Sequence, residues 1–170
     1  PSSKVDPLTY VSQYVDCIEI NNSFYRPPSQ RNAQIWLDKT LDKTSFFFTA
    51  KLHKSFTHEG RLDHDLACQV HEGFAPLLEA NRLKHLLAQF KYDFSDSPAA
   101  RRQLTSIHQL FSESFNLIVE VRHKSWERPE ALDFLGHLGM GVCNLDYPTT
   151  SNNFDLKHCT VGHHGYMRLH

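Results

Sequence analysis

The stretch that most constrains the fold runs from Asn116 to Trp126 and reads NLIVEVRHKSW. Its short apolar run, from Leu117 to Val121, is rich in β-branched residues, which is typical of a strand covered on both faces. Glu120 and Arg122 lie two residues apart near its carboxyl end, so their side chains share one face of the strand. A buried carboxylate and guanidinium are costly unless they are paired or used in chemistry. This strand alone leaves two interpretations open, a structural ion pair or part of a functional site.

The same arrangement recurs in five other predicted strands, each of which carries polar residues on one face near its carboxyl end. The polar residues of all six, in chain order, are Glu19 and Asn21, Lys51 and His53, Gln89, Glu120 and Arg122, Asn144 and Asp146, and Arg168 and His170. Segments with apolar residues at helical spacing separate most of these strands. Strands that alternate with helices predict parallel βα units.

Two parallel architectures compete, an open doubly wound sheet and a closed barrel. An open sheet gathers its ligand-binding groups at one switch point, so only two or three strands should end in inward polar residues. Six polar strand ends favour a barrel mouth, and the sequence predicts an α/β, TIM-barrel-like (β/α) barrel of parallel strands, with residues 1–170 forming a single partial domain. Because a complete barrel has eight strands and takes roughly 250 residues, we expect this chain to lack the first and last βα units.

Charge and cysteine usage narrow the classes of function. The 170-residue chain has a formal net charge of -1, so its overall charge gives no reason to expect nucleic-acid or membrane binding. No apolar run approaches the roughly 20 residues of a membrane span, so we expect no membrane partner. The four cysteines are widely spaced without a CxxC pair, which predicts reduced thiols in a cytoplasmic protein. We expect Cys17 and Cys143 to be inert because they lie in apolar strands.

Six ordered motifs cover essentially the whole chain, namely VDCIEINNSFYRPPS, FTAKLHKSFTH, LLAQF, VEVRHKSW, CNLDYP and GYMRLH. Together they resemble the YecE-like family, a domain of unknown function. The resemblance implies a TIM-barrel-like fold, with a further strand upstream and a glycine directly after the RLH. The sequence departs from the family pattern at Lys84, His85 and Lys91, where Gly, Pro and Pro are usual, and we expect these changes to concern turns more than the mouth. A kinship with the endonuclease IV type of barrel implies metal-assisted phosphodiester chemistry, by analogy only.

The first functional hypothesis is a hydrolase or lyase that acts on a phosphorylated or other anionic substrate, such as a phosphodiester or another phosphate ester. Lys51, Arg122 and Arg168 would hold the anion. The predicted catalytic groups are Glu19, Glu120, Asp146 and His53, and the remaining substrate-binding groups are Asn21, Gln89, Trp126, Asn144 and His170. The alternative is an ion-pair network that only fills the top of the barrel, and the sequence leaves open whether the protein is an enzyme.

No cofactor is predicted with certainty, and a divalent metal is left open with no ligand set assigned. A metal site needs three or more converging oxygen or nitrogen ligands, and no HExxH or comparable signature is present. The three inward cations would also repel a metal ion. The sequence contains no GxSxG motif and no glycine-rich phosphate loop, so we expect neither a nucleophilic serine nor a nucleotide cofactor.

The second functional hypothesis is a non-catalytic module that binds nucleic acid or a phosphorylated ligand. Aromatic residues adjoin cations in Phe24-Tyr25-Arg26 and in the segment from His123 to Trp126, an arrangement that suits base stacking beside phosphate contacts. The alternative is that Phe24 and Trp126 pack beneath their own loops as part of the barrel core. The sequence does not fix the oligomeric state.

Overall fold

A computed structural model, which describes residues 5–146, 154 and 161–169, contains one sheet of six parallel strands. The strands are β1 (Cys17–Ile20), β2 (Phe47–Lys51), β3 (Leu83–Gln89), β4 (Leu117–Glu120), β5 (Gly141–Asp146) and β6 (Tyr166–Leu169). Each strand pairs with the next one along the chain, in parallel. The strand order therefore never reverses, as it would at the switch point of a doubly wound sheet.

Helices lie between successive strands from β1 to β5, and several of them begin at capping residues. The helices of the chain are α1 (Pro7–Val11), α2 (Gln30–Asp38), α3 (Lys54–Thr57), α4 (His64–Glu79), α5 (Pro98–Phe111) and α6 (Pro129–His137), with 3-10 turns at Asn22–Phe24 and Lys124–Glu127. The side chains of Asp6, Ser29 and Ser97 accept hydrogen bonds from the first turns of α1, α2 and α5. Gly139, with φ 71°, follows the end of α6 in a left-handed conformation that glycine adopts without strain. None of the helices in the described ranges is both long and apolar enough to cross a membrane.

The cap of α5 provides a local test of this sequence-based assignment. The Ser97 hydroxyl accepts a hydrogen bond from the Ala100 amide at 3.2 Å. We expect Ser97→Ala to lower the free energy of unfolding by about 1 kcal/mol, measured by urea denaturation. Ser97→Asp should cost much less, because aspartate caps equally well. An equal loss in both variants would show that the cap contributes nothing.

The sheet curls until its first and last strands meet through their side chains. The Tyr166 hydroxyl on β6 donates to Glu19 Oε2 on β1 at 2.8 Å and accepts from Thr49 Oγ1 on β2 at 3.1 Å. Arg168 Nη2, also on β6, donates to Glu19 Oε1 at 3.1 Å. Six parallel strands thus form a curled half-barrel with connecting helices, which confirms the α/β class and the parallel, barrel-like curvature predicted from the sequence.

Apolar residues cover both faces of this sheet. The convex face packs against the helices, with Phe48, Ala50, Leu86, Ala88, Val119 and Val142 from the strands and Val70, Phe74, Leu104, Ile107 and Leu135 from the helices. The concave face, which we call the lumen, has a smaller apolar layer of Leu87, Ile118, Cys143 and Leu145, with Tyr166 packed against it. Every strand contributes to one or both layers, so the sheet is held in its curved form from two sides.

The orientation of β5 corrects part of the predicted mouth. Val142 packs in the convex core, whereas Cys143 and Leu145 face the lumen. Asn144 and Asp146 alternate with these lumen residues, so their side chains belong to the convex face and not to the predicted site. The prediction placed them inward because they are polar, but this part of the lumen is apolar.

The cysteines match the prediction in part. Cys143 is fully buried in the lumen, and burial, followed by the nearby Glu120 charge, raises the pKa of its thiol. Cys17 is exposed at the start of β1, against the expectation of burial, and Cys68 is exposed on α4. These three are free thiols, while Cys159 lies outside the described residues.

Candidate functional site

Polar side chains fill the lumen at the carboxyl ends of the strands. This group, called the lumen cluster below, consists of Glu19, Thr49, Lys51, Gln89, Glu120, Arg122, Tyr166 and Arg168. Cα pairing places Glu19 beside Thr49, and Gln89 beside Glu120, on neighbouring strands. Because parallel strands end on the same side of a sheet, residues far apart in sequence converge here. Six of the predicted site residues are brought together, namely Glu19, Lys51, Gln89, Glu120, Arg122 and Arg168.

Glu120 lies at the centre of the lumen cluster, and its side chain is 0% exposed. Its Oε1 accepts from Gln89 Nε2 at 2.7 Å and from Arg122 Nε and Nη2 at 2.8 and 2.6 Å. Its Oε2 accepts from Arg168 Nη1 at 2.7 Å. Burial acts to raise the pKa of Glu120, but the Gln89 hydrogen bond and the two arginine charges outweigh burial and lower it.

Glu120 is therefore an ionised carboxylate whose accepting positions are largely occupied. This geometry favours the ion-pair interpretation of Glu120 and does not support its predicted role as an acid or base. Its chemical effect is to hold two guanidinium groups in fixed orientations. A fixed guanidinium loses little freedom when it binds an anion.

Arg168 joins the two carboxylates of the lumen cluster. One of its terminal nitrogens donates to Glu120 and the other to Glu19, at 2.7 and 3.1 Å. Glu19 also accepts from the Tyr166 hydroxyl, whose pKa is raised mainly by burial, so Tyr166 remains a protonated donor. Glu19 is less enclosed than Glu120, with 18% of its side chain exposed. It is the better placed of the two carboxylates for exchanging a proton with a ligand.

Lys51 has a different environment from the two arginines. Its ammonium donates to Gln89 Oε1 at 3.0 Å and lies 5.8 Å from the ring centroid of Phe24. Burial, followed by repulsion from Arg168, lowers the pKa of Lys51, although Glu19 and Glu120 act to raise it. Within the described part of the chain, Lys51 forms no ion pair with a carboxylate.

The lumen cluster carries an excess of positive charge. Three cationic side chains face two carboxylates, and both carboxylates are already bound by arginine. The excess of positive charge extends to His58 at the rim. Burial is the largest cause that lowers the pKa of this imidazole, and the charges of Lys91, Arg122 and Lys51 lower it further. An anion entering the mouth therefore meets a net attractive field.

Three predicted site residues have other roles or positions. His53 caps α3, since its Nδ1 accepts from the Ser55 amide at 3.2 Å while Nε2 contacts the Tyr25 carbonyl at 2.9 Å. Both ring nitrogens are thus engaged in local structure, which does not support an acid-base role. Asn21 is exposed, and its amide reaches the Glu19 backbone carbonyl at 3.5 Å. His170 lies outside the described residues.

Trp126 corrects another part of the predicted mouth. The indole is fully buried, its Nε1 donates to the Phe94 carbonyl at 2.8 Å, and its ring stacks on Phe94. A side chain without exposed surface cannot form the wall of a binding site, so Trp126 belongs to the core beneath its own loop. Phe24 is half-buried and packs edge-on against Tyr25 and His58, so it does not belong to the buried core that the alternative interpretation expected. Trp126 therefore offers no stacking surface to a nucleic-acid base, whereas Tyr25 in the other aromatic segment is exposed.

Sequence reasoning missed three lumen residues. Tyr166 and Thr49 lie two residues before Arg168 and Lys51 on the same strand faces, so the period of two already pointed to them. His85 was noted only as a departure from the family pattern, but it lies on β3 with its ring centroid 5.7 Å from that of Tyr166 and 4.8 Å from that of His164. Burial, followed by His164, lowers the pKa of His85 to about 4, so this imidazole is neutral near pH 7.

The residues present do not fit the metal site that an endonuclease-IV-type kinship implies. Across residues 5–146, 154 and 161–169, no group of three or more His, Cys, Asp or Glu side chains converges to hold a metal ion. The two carboxylates of the lumen cluster are both bound by Arg168, which would repel a metal cation.

A separate groove of about 720 Å³ lies between the loop after β1 and helix α4. Its lining includes Tyr25, Arg26, Ser29, Glu72 and Gly73, and none of its residues belongs to the lumen cluster. Tyr25 and Arg26 are exposed side chains. Binding sites are marked by converging polar groups as well as by volume, and that convergence is found in the lumen.

Solved structures share the fold of this chain. A DUF72 family protein from Thermotoga maritima is 29% identical, with a TM-score of 0.82, over 98% of this chain and 66% of that protein. A DUF72 family protein from Enterococcus faecalis is 19% identical, so it shows likeness of fold alone. Its first crystal structure has a TM-score of 0.87 and matches 97% of this chain and 63% of that chain. Its second has a TM-score of 0.86 and matches 96% of this chain and 69% of that chain. The chain thus spans about two thirds of the length of these relatives. No curated protein matches it.

The sequence itself gives the family assignment. A family profile described as "Protein of unknown function DUF72" matches residues 2–170, which is almost the entire chain. The YecE-like resemblance found in the motifs agrees with this match, because that name denotes the same family. The chain belongs to the DUF72 family of proteins of unknown function.

Proposed function

We propose that the lumen cluster binds a small anionic or phosphorylated ligand and that the protein is a hydrolase or lyase acting on it. The observation that supports this most is the uncompensated positive charge of the lumen cluster, where both carboxylates are already held by arginine. The proposal takes the half-barrel as part of an eight-stranded TIM-type barrel, in which ligands bind at the carboxyl ends of the strands. The relatives are longer than this chain, which leaves room in them for the further strands of such a barrel.

Arg122 is the main anion-binding group in this proposal. Its Nε and Nη2 are held by Glu120, while 32% of its side chain is exposed toward solvent. This leaves Nη1 without a protein partner among the described residues and free to donate to an entering oxyanion. Lys51 provides a second donor, since an ammonium has three N–H groups and Gln89 occupies one of them.

An ion-pair network that only filled the top of the barrel would balance its charges, whereas the lumen cluster has three cationic side chains and two carboxylates. A small ligand also suits the site better than nucleic acid, because Trp126 is buried and cannot stack on bases. Glu19 is the proposed acid-base group, since it is partly exposed and linked to the Tyr166 hydroxyl at 2.8 Å. The proposed reaction therefore depends on Glu19, whereas the proposed anion binding depends on Arg122 and Lys51.

Titration with inorganic phosphate tests anion binding directly. We expect saturable binding to the wild-type protein by isothermal titration calorimetry at constant ionic strength. Arg122→Gln should weaken it by about tenfold or more, since a charge-assisted hydrogen bond contributes roughly 1.5–3 kcal/mol. The matched control is Arg102→Gln, an exposed arginine on α5, which should bind phosphate as the wild type does. Absence of saturable binding, or equal weakening in both variants, would rule out the proposed site.

A further inference from the structure

The three cationic side chains of the lumen cluster differ in the groups to which they donate hydrogen bonds. Arg122 and Arg168 donate to carboxylate oxygens at 2.6 to 3.1 Å, and a guanidinium stays protonated in proteins. Lys51 instead donates to the neutral amide oxygen of Gln89 at 3.0 Å. Since no carboxylate pairs with it among the described residues, Lys51 can lose a proton without breaking an ion pair.

Gln89 holds this amine in one orientation. Its Nε2 donates to Glu120 Oε1 at 2.7 Å, so its Oε1 faces Lys51 as an acceptor. An acceptor of this kind keeps its hydrogen bond whether the amine is charged or neutral, because both forms carry N–H groups. The lone pair of the neutral amine is then directed away from Gln89.

The surroundings make the ammonium easier to deprotonate than an exposed lysine. Lys51 is half-buried at the end of β2. Burial and the charge of Arg168 lower its pKa, as described above. Desolvation and a neighbouring cation are the two influences that activate lysines for Schiff-base chemistry.

We infer that Lys51 is a nucleophile that forms an imine with a small carbonyl compound bearing an anionic group, of which a 2-oxo acid is the simplest class. This inference rests on the proposed function, because Arg122 would hold the anionic group, and it selects a lyase over a hydrolase. Three hydrogen bonds link the two residues, from Lys51 to Gln89, from Gln89 to Glu120 and from Arg122 to Glu120.

The chemical step balances without an oxidant or reductant. The lone pair of the amine attacks the carbonyl carbon and gives a carbinolamine, and the carbonyl oxygen takes up protons and leaves as water while the C=N bond forms. The protonated imine then accepts the electron pair released when an adjacent C–C or C–H bond breaks. Glu19, the partly exposed carboxylate, is placed to receive or return the proton.

Reductive trapping identifies the reacting amine. The protein is incubated with pyruvate and sodium cyanoborohydride, and the modified lysines are located by peptide mass spectrometry. We expect the adduct chiefly at Lys51 and much less at Lys124, an exposed lysine outside the lumen. Phosphate should protect Lys51 from modification but not Lys124, a comparison that uses only the wild-type protein. Equal modification of both lysines, or no protection by phosphate, would overturn the inference.

Lys51→Arg separates imine formation from anion binding. This variant keeps the positive charge, so it should bind phosphate within about twofold of the wild type, yet give no adduct at position 51. Phosphate binding by the wild type without an adduct at Lys51 would overturn the imine and leave the proposed function intact. Failure of phosphate to bind would remove the proposed function itself.

Discussion

Replacement of Glu120 by alanine is expected to lower the free energy of unfolding by about 3 kcal/mol, the lower end of the range for breaking a buried ion pair. Glu120 accepts from both Arg122 and Arg168, so its removal leaves two guanidinium groups with one partner fewer inside the lumen. We expect the lower end of this range because the side chains of Arg122 and Arg168 are 32% and 16% exposed, so water can solvate part of their charge. Urea denaturation at neutral pH measures the change.

The matched control for this variant is Glu113→Ala, since Glu113 is exposed on the protein surface. That change should stay within about 0.5 kcal/mol of the wild type. If Glu120→Ala cost no more than Glu113→Ala, the central ion pairs would contribute nothing to the fold.

The contribution of Glu120 to the free energy of unfolding should also decrease in acid. The folded-state pKa of this carboxyl lies below its ordinary value of 4.5. Its stabilising effect is therefore complete above the ordinary value and is lost as the pH falls through the lowered folded-state value. We expect the difference in stability between the wild type and Glu120→Ala to be constant near neutrality and to shrink in acid.

Gly73→Ala is expected to destabilise the protein by about 2 kcal/mol, because added atoms in a packed site cost about 1–3 kcal/mol. A Cβ at this position in α4 would stand 2.2 Å from the backbone carbonyl oxygen of Pro28. Neither backbone can move without shifting α4 against the loop that follows β1. Thermal or urea denaturation shows the loss.

Gly136→Ala is the matched control for Gly73, since it also lies inside a helix. Its Cβ would meet the Val161 side chain at 3.7 Å, which is ordinary van der Waals contact. Alanine is the better helix former by about 1 kcal/mol, so this change should stabilise the protein. Changes of the same sign at Gly73 and Gly136 would contradict the close approach of α4 to Pro28.

Much of the fold could be predicted because its signals are local. The period of two along a strand places Glu120 beside Arg122, and it does so wherever the strand lies in the sheet. The same rule placed Lys51 and Gln89 on the lumen face of their strands. Caps such as Ser97 are equally local, since one side chain bonds the backbone three residues later.

The features that the sequence did not predict correctly depend on contacts with other parts of the chain. On β5 the period was right, but apolar Val142 and Leu145 lie on opposite faces of a strand buried on both sides, so hydrophobicity could not show which face was the lumen. The burial of Trp126 depends on its loop folding back over Phe94. The pairing of Glu19 with Arg168 joins residues 149 positions apart, which only the curl of the sheet brings together.

The convergence of the strand ends can be measured with a double-mutant cycle between Glu19 on β1 and Arg168 on β6. The free energies of unfolding of Glu19→Ala, Arg168→Ala and the double variant give the coupling between the two side chains. The structure predicts a favourable coupling of about 1 kcal/mol or more, because these side chains are mostly buried and meet at 3.1 Å. A coupling of zero within error would contradict the curled half-barrel and the lumen cluster built on it.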